Sequence, residues 1–205
     1  MIWLLIFLLS YLIGSIPSGY LVARSKGIDI RQRGSSNIGA ANVARVMGKQ
    51  WGYLVGFCDF LKGFLAVKLG FLIAAHFLLS SLPGGVTAAI ACILGHNYTI
   101  WLGFKGGKGI ATSGGAILAL LPPLVFVSGG VAWVATFLIS RYTSLASIIA
   151  ALVMPIAVLL IVAKTGTDFW LLLAFSVLMA ALAIWRHREN IVRLLNGTEN
   201  RFGKK

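Results

Sequence analysis

The chain is short of acidic residues and of cysteine, and each shortage closes off a kind of chemistry. Asp and Glu number five among 205 residues. With so few, no Ser–His–Asp arrangement for nucleophilic catalysis is evident, and no carboxylate-oriented base. The two cysteines, Cys58 and Cys92, fall inside apolar runs without metal or disulfide spacing and read as small packing residues. Nothing reads as a linker, a separate soluble domain or a repeat with the period of about 20 to 50 residues that marks solenoids. One domain over residues 1–205 is expected, with no metal and no organic cofactor.

What is present is apolar. Hydrophobic residues make up 59% and charged residues 11%, with a mean hydropathy of +0.91. A water-soluble protein of this size would lack the polar surface to cover its core. Apolar runs near the roughly 20 residues needed to cross about 30 Å of hydrocarbon recur along the chain. The first run has no basic residue before Ile2 and reads as a span, not a cleaved leader. An all-α, polytopic membrane protein with about seven crossings is expected, five or six being the alternatives, over residues 2–23, 51–80, 85–102, a short 110–121 ending at Pro122–Pro123, then 124–139, 145–163 and 169–183.

A net charge of +13 in a soluble protein would suggest nucleic acid. Here its placement sets topology. With the N-terminus outside, the inner segments hold Arg24, Lys26, Arg31, Arg33, Arg45, Lys49, Lys105, Lys108, Arg141, Arg186, Arg188, Arg193, Arg201, Lys204 and Lys205. The other three of the 18 Lys and Arg are Lys62 and Lys68, within a span, and Lys164 outside. The positive-inside rule then puts the C-terminus in the cytoplasm.

The inner segments carry the chemistry. Gly103-Phe104-Lys105-Gly106-Gly107-Lys108-Gly109, followed by Thr112, has glycines that let backbone N–H groups approach an anion and lysines that add charge. It also suits a cytoplasmic turn whose lysines only set topology. It is not a P-loop, because Gly-x-x-x-x-Gly-Lys-Ser/Thr does not occur. The segment 33–45 mixes glycines with Ser35, Ser36, Asn37, Asn42 and Arg45. Its hydroxyls and amides suit phosphate or glycerol, and Ser35 to Asn37 also suit capping of a short helix starting at Ile38; the two readings are compatible. Arg45, eight residues past Asn37, shares its face if the stretch between is helical. His96 reads either as a packed histidine or as a functional one near Lys105 and Lys108. Asp59 and Lys62, on one face of the second run, read as a buried salt bridge or, alternatively, a proton relay.

Taken together, Gly14-Ser15-Ile16-Pro17-Ser18-Gly19, Gly34-Ser35-Ser36-Asn37-Ile38-Gly39-Ala40-Ala41-Asn42, Gly95-His96 with 104–112, and Arg186-His187-Arg188-Glu189-Asn190-Ile191 resemble the bacterial acyl-phosphate:glycerol-3-phosphate acyltransferase family over nearly the whole chain. Ser36 stands where that family most often carries glycine, and Ala41 where it carries threonine. The resemblance implies transfer of a fatty acyl group from acyl-phosphate to the 1-hydroxyl of glycerol-3-phosphate, the first acylation of phospholipid synthesis. The chain lacks the His-x-x-x-x-Asp motif of acyl-CoA-dependent acyltransferases. Direct attack on an already activated mixed anhydride, with the proton passing to a substrate oxygen or to His96, is the expected mechanism. Ser35, Asn37, Arg45, His96, Lys105 and His187 are the expected catalytic residues. Ser36, Asn42, Gly106, Gly107, Lys108, Gly109, Thr112, Arg141, Ser144 and Asn190 are the expected substrate-binding residues, with the assignment of each cluster to a phosphate left open. The expected location is the bacterial cytoplasmic membrane with the site facing the cytoplasm, the bilayer and the two substrates being the partners, without nucleic acid or an obligatory protein partner. A transporter of organic phosphates or a non-catalytic lipid-binding protein are the rival classes.

Overall fold

The structure is a computed structural model in which residues 1–203 are described. Lys204 and Lys205, counted above with the inner basic residues, lie outside the described residues. Helices are the only regular elements among the described residues. The chain divides into two compact units, Met1–Leu120 and Leu121–Lys205.

In the first unit, α1 (Ile2–Ser15), α4 (Lys49–His76), α5 (Ser81–Asn97) and α6 (Ile110–Leu120) pack together, with α1 on α5 and α4, and α4 on α5 and α6. The first apolar run is not one helix. Pro17 has no N–H to continue the ladder, so α1 stops at Ser15 and a short α2 (Ser18–Arg24) restarts beyond it. Small residues set the spacing: a methyl on Gly14 would strike the Cys92 carbonyl, so α1 and α5 touch backbone to backbone. Both cysteines are free thiols, and the buried Cys92 Sγ lies 3.6 Å from the Lys62 carbonyl. Beyond α2 come a 3-10 turn (Ile30–Gln32) and α3 (Ala40–Met47), which packs on α4. Ala23, Ile30, Ile38, Val43 and Val55 form one buried apolar cluster there, and Leu102 packs against it.

The second unit runs α7 (Pro123–Ser140), α8 (Thr143–Ile161), α9 (Gly166–Arg186) and α10 (Arg188–Leu195), each long helix packing on the next and α10 resting on α8 and α9. Pro123 opens α7, where a missing N–H costs nothing, and Arg141 closes it in a left-handed conformation (φ 62°).

Five helical stretches are long and apolar enough to cross a membrane: Ile2–Arg24, Ser81–Leu102, Pro123–Ser140, Thr143–Ile161 and Gly166–Arg186. The remaining two expected spans differ in kind. Helix α4 has 28 residues but carries Lys49, Asp59, Lys62 and Lys68, and α6 has 11 residues.

Candidate active site

The segment before α3 is shaped by one side chain. Asn42, 1% exposed, accepts from Ser35 N at 2.8 Å and donates through Nδ2 to the carbonyls of Asn37 (2.8 Å), Arg33 (3.0 Å) and Ile30 (3.4 Å). Expected to bind substrate, it is engaged instead with the loop main chain. Asn37 Oδ1 accepts from Gly39 N at 2.8 Å. Helix α3 starts at Ala40 with no side-chain cap, so Ser35 and Ser36 do not cap it and Asn37 shares no helical face with Arg45. Gly34 (φ 58°) and Ser36 (φ 57°) both lie in the left-handed region, so the glycine expected at position 36 would meet no steric penalty there. Arg45 lies half-buried in the last turn of α3 and makes interactions of its own. Just upstream, Arg31 donates twice to Asp29 (2.9 and 2.7 Å), and this hydrogen bonding holds the partly buried Asp29 carboxyl down at about 2.

The lysine–glycine loop sits on the C-terminal end of α5. Gly106 N donates to Asn97 O (3.2 Å), Gly107 N to His96 O (3.0 Å) and Phe104 N to Thr99 O (2.9 Å). The Gly106 and Gly107 amides therefore cap the last carbonyls of α5, where the sequence suggested amides aimed at an anion, while the Phe104 amide closes the turn after Thr99. The glycines are needed for close approach: a Cβ on Gly106 would strike His96 O, one on Gly107 the His96 ring at Nε2, and one on Gly109 would come within 2.7 Å of Asn97 Oδ1. What the loop leaves for an anion is the Lys105 side chain, exposed and without a hydrogen-bond or ion-pair partner among the described residues, and the opening turn of α6. Lys108 is partly buried and does have partners. Ile38 and Leu102 share one apolar cluster, so the two loops are joined at the same end of the first unit.

Beneath the loop lies a polar stratum that sequence reasoning only half saw. Lys62 Nζ is 2.8 Å from Asp59 Oδ1, the buried salt bridge that the i, i+3 spacing suggested. The same ammonium donates to Ile16 O at 2.8 Å, next to the helix break at Pro17. His96 Nδ1 lies 3.6 Å from Asp59 Oδ1, so a carboxylate does face this histidine. Asn97 is fully buried with both side-chain amide atoms lacking a hydrogen-bond partner among the described residues, and so is Thr112 Oγ1. Such atoms are costly to leave unpaired in an apolar surrounding. Asn97 was not a candidate from sequence; its place between His96 and the loop was the available signal.

In the second unit a carboxylate gathers two of the predicted residues, Ser144 and Asn190. Glu199 Oε1 accepts from Ser144 Oγ (2.8 Å) and Asn190 Nδ2 (2.7 Å), and Oε2 accepts from Arg193 Nε (2.8 Å). Its side chain is 6% exposed. Burial pushes its carboxyl up, but the hydrogen bonds from Arg193, Asn190 and Ser144 together outweigh that and lower it. Neither Glu199 nor Arg193 was singled out as a site residue; the rarity of acidic residues could have flagged the former. His187, 3% exposed, holds its Nδ1 2.8 Å from Ala183 O, which requires the proton on Nδ1. Arg141 is exposed, and its carbonyl accepts from Phe202 N at 2.9 Å.

The chain is similar to crystal structures of PlsY (YgiH), an integral membrane glycerol 3-phosphate acyltransferase. The glycerol 3-phosphate form matches with a TM-score of 0.85 and 42% identity over 98% of this chain and 96% of that one. The lysophosphatidic acid form matches with 0.83 and 41%, over 98% and 95%. With five long apolar helices, this likeness defines the class: an all-helical, polytopic integral membrane protein. A family model described as glycerol-3-phosphate acyltransferase matches residues 4–197, and the chain belongs to that family. Glycerol-3-phosphate acyltransferases of Desulforudis audaxviator (46% identical, 95% of this chain and 92% of the relative) and Aquifex aeolicus (43%, 97% and 98%) are among its relatives.

Proposed function

We propose that this enzyme transfers a fatty acyl group from acyl-phosphate to the 1-hydroxyl of glycerol-3-phosphate, releasing inorganic phosphate. Family membership supports the acceptor; the observation that carries the donor is the Lys105 ammonium, exposed and unpartnered among the described residues, on a loop that adjoins the start of α6. In this reading Lys105, Lys108 and the first turn of α6 hold the phosphate of the donor, with Thr112 Oγ1 as a hydroxyl donor, and stabilise charge as that phosphate leaves. The glycerol oxygen bonds to the acyl carbon, the bond from that carbon to the phosphate oxygen breaks, and the hydroxyl proton passes to an oxygen of the acyl-phosphate. No acyl-enzyme forms. Ser35, Ser36, Asn37 and Arg45 orient glycerol-3-phosphate, with Asn42 keeping the shape of its loop; within the second unit, Arg141, Ser144, His187 and Asn190 are the residues that meet substrate.

We read the two units as one acyltransferase domain in the bacterial cytoplasmic membrane, crossing it about seven times with the C-terminus and the site on the cytoplasmic side. Basic residues crowded on the inner segments support that orientation. An inner-leaflet site admits both a lipid-soluble chain and a water-soluble acceptor. Purified protein in detergent, given acyl-phosphate and glycerol-3-phosphate, is expected to make lysophosphatidic acid, and to make none from acyl-CoA or acyl carrier protein thioesters. Activity with a thioester and none with acyl-phosphate would defeat the donor assignment. His96→Ala is expected to retain measurable turnover with an unchanged pH–rate profile; loss of one limb of that profile would make His96 the base.

A further inference from the structure

The buried pair Asp59–Lys62 has no role in the reaction as written. It sits among apolar helices, Asp59 2% and Lys62 6% exposed, where an apolar pair of similar volume would hold α4 at least as well. Each end of the pair, however, reaches something. Lys62 Nζ donates to Ile16 O, beside the break between α1 and α2. Asp59 Oδ1 lies within ion-pairing distance of His96 Nδ1, at 3.6 Å. The opposite edge of that imidazole, at Nε2, is the surface on which Gly107 rests so closely that no side chain fits, and Gly107 N is bonded to the carbonyl of the same histidine. A ring rotated away from Asp59 would leave the seat of Gly107, and the loop that carries Lys105 and Lys108 would lose its register on α5.

We propose that Asp59 is a positioning residue: paired with Lys62, it fixes the ring of His96, and through that ring it holds the lysine–glycine loop in its working position. The relevance of this positioning to turnover rests on the proposed function, while the positioning itself does not. The test therefore has two arms. The variants are Asp59→Asn and a double variant, Asp59→Leu with Lys62→Met, which leaves no unpaired buried charge and is the safeguard should the single variant fold poorly. The first arm is hydrogen–deuterium exchange of the peptide covering residues 104–109 in detergent. Exchange at the Gly106 and Gly107 amides is expected to rise at least about tenfold in the double variant, with its melting temperature within a few degrees of wild type and exchange in the middle of α4 unchanged. Unaltered exchange in the loop, or loosening spread equally over α4, would overturn the proposal whatever the activity.

The second arm measures kcat and KM with acyl-phosphate and glycerol-3-phosphate. The double variant is expected to lose about tenfold or more in kcat while KM for glycerol-3-phosphate moves less than about threefold. Combining Asp59→Asn with His96→Gln should cost little more than the larger single effect, because both act through one ring. Full kcat in a stable double variant, or additive losses in the combined one, would overturn the role in turnover. If wild type makes no lysophosphatidic acid, the proposed reaction fails and the exchange arm alone still decides whether Asp59 positions the loop.

Discussion

Asn42 in the first unit and Glu199 in the second do comparable work by different means. Asn42 is a neutral amide whose hydrogen bonds all go to main-chain groups, three carbonyls and one N–H. Glu199 is a carboxylate whose partners are all side chains, Ser144, Asn190 and Arg193. The first therefore shapes a backbone and leaves the side chains of Ser35 and Asn37 to be carried by it. The second orients the side chains themselves and leaves the backbone to the helices that bear them. Two consequences follow from this contrast. The amide hub should be insensitive to pH while the carboxylate hub is not, and a substitution at the first should cost more, since backbone groups have no rotamer by which to find a new partner.

The largest expected effect is therefore at Asn42. Asn42→Ala leaves the Asn37 carbonyl and the Ser35 N–H without the partner Asn42 supplies and strips a second bond from the Arg33 and Ile30 carbonyls, and should destabilise the protein by about 2–3 kcal/mol and lower turnover by about 100-fold or more. Thermal unfolding and steady-state assays in the same detergent check both, and a loss no larger than that of Glu199→Gln would erase the contrast. Next come Lys105→Ala and Lys108→Ala, each expected to lose more than about tenfold in kcat/KM, about 1.4 kcal/mol of transition-state stabilisation. Near-normal turnover in both would remove the lysine loop from the chemistry.

Glu199→Gln keeps an acceptor for Ser144 but loses the charge that holds Arg193, and should cost about three- to tenfold in turnover. Its pH signature is sharper. Because the folded carboxyl is lowered below the unfolded value of about 4.3, its stabilising contribution is complete above that pH and is lost as pH falls through the lower folded value. Wild type should thus melt progressively earlier on acidification below about pH 4.3, and Glu199→Gln should reduce that slope while Asn42→Ala leaves it unchanged. Equal slopes in wild type and Glu199→Gln would show that the carboxylate is not held as described. The smallest effect is expected at Ser36, where glycine relieves a left-handed φ of 57°. Ser36→Gly should gain up to about 1 kcal/mol with activity within about twofold of wild type.

Much of the fold was legible because apolar runs declare themselves by length, and α7, α8 and α9 begin and end within three residues of their expected spans. The break in the first run was less so, because a proline inside an apolar stretch can kink a membrane helix or end it, and the outcome here involves Lys62, 45 positions beyond Pro17 in sequence. Helix α10 was hidden by its polarity, since the family motif there drew notice to Arg186, His187 and Asn190 as chemistry and not as a helix. For the site, residue types were informative and partners were not. Gly106 and Gly107 read as donors to an anion, but their amides cap α5, a fact that depends on where the chain folds back after Leu102. Asp59 read as the partner of Lys62, three residues away, whereas its approach to His96 joins α4 to α5 and no local spacing reveals it. Glu199 lies beyond the last family motif quoted, in a turn after α10. Contacts within about four residues were thus readable and contacts between elements were not.

Direct transfer from an activated donor, with no acyl-enzyme, is the central claim, and phosphate release tests it most directly. Enzyme mixed with acyl-phosphate alone in a rapid-quench experiment is expected to release no phosphate above the uncatalysed rate, and on addition of glycerol-3-phosphate to form phosphate and lysophosphatidic acid in a ratio of about 1:1. A burst of about one phosphate per enzyme before glycerol-3-phosphate is added, or phosphate formed without lysophosphatidic acid, would contradict it.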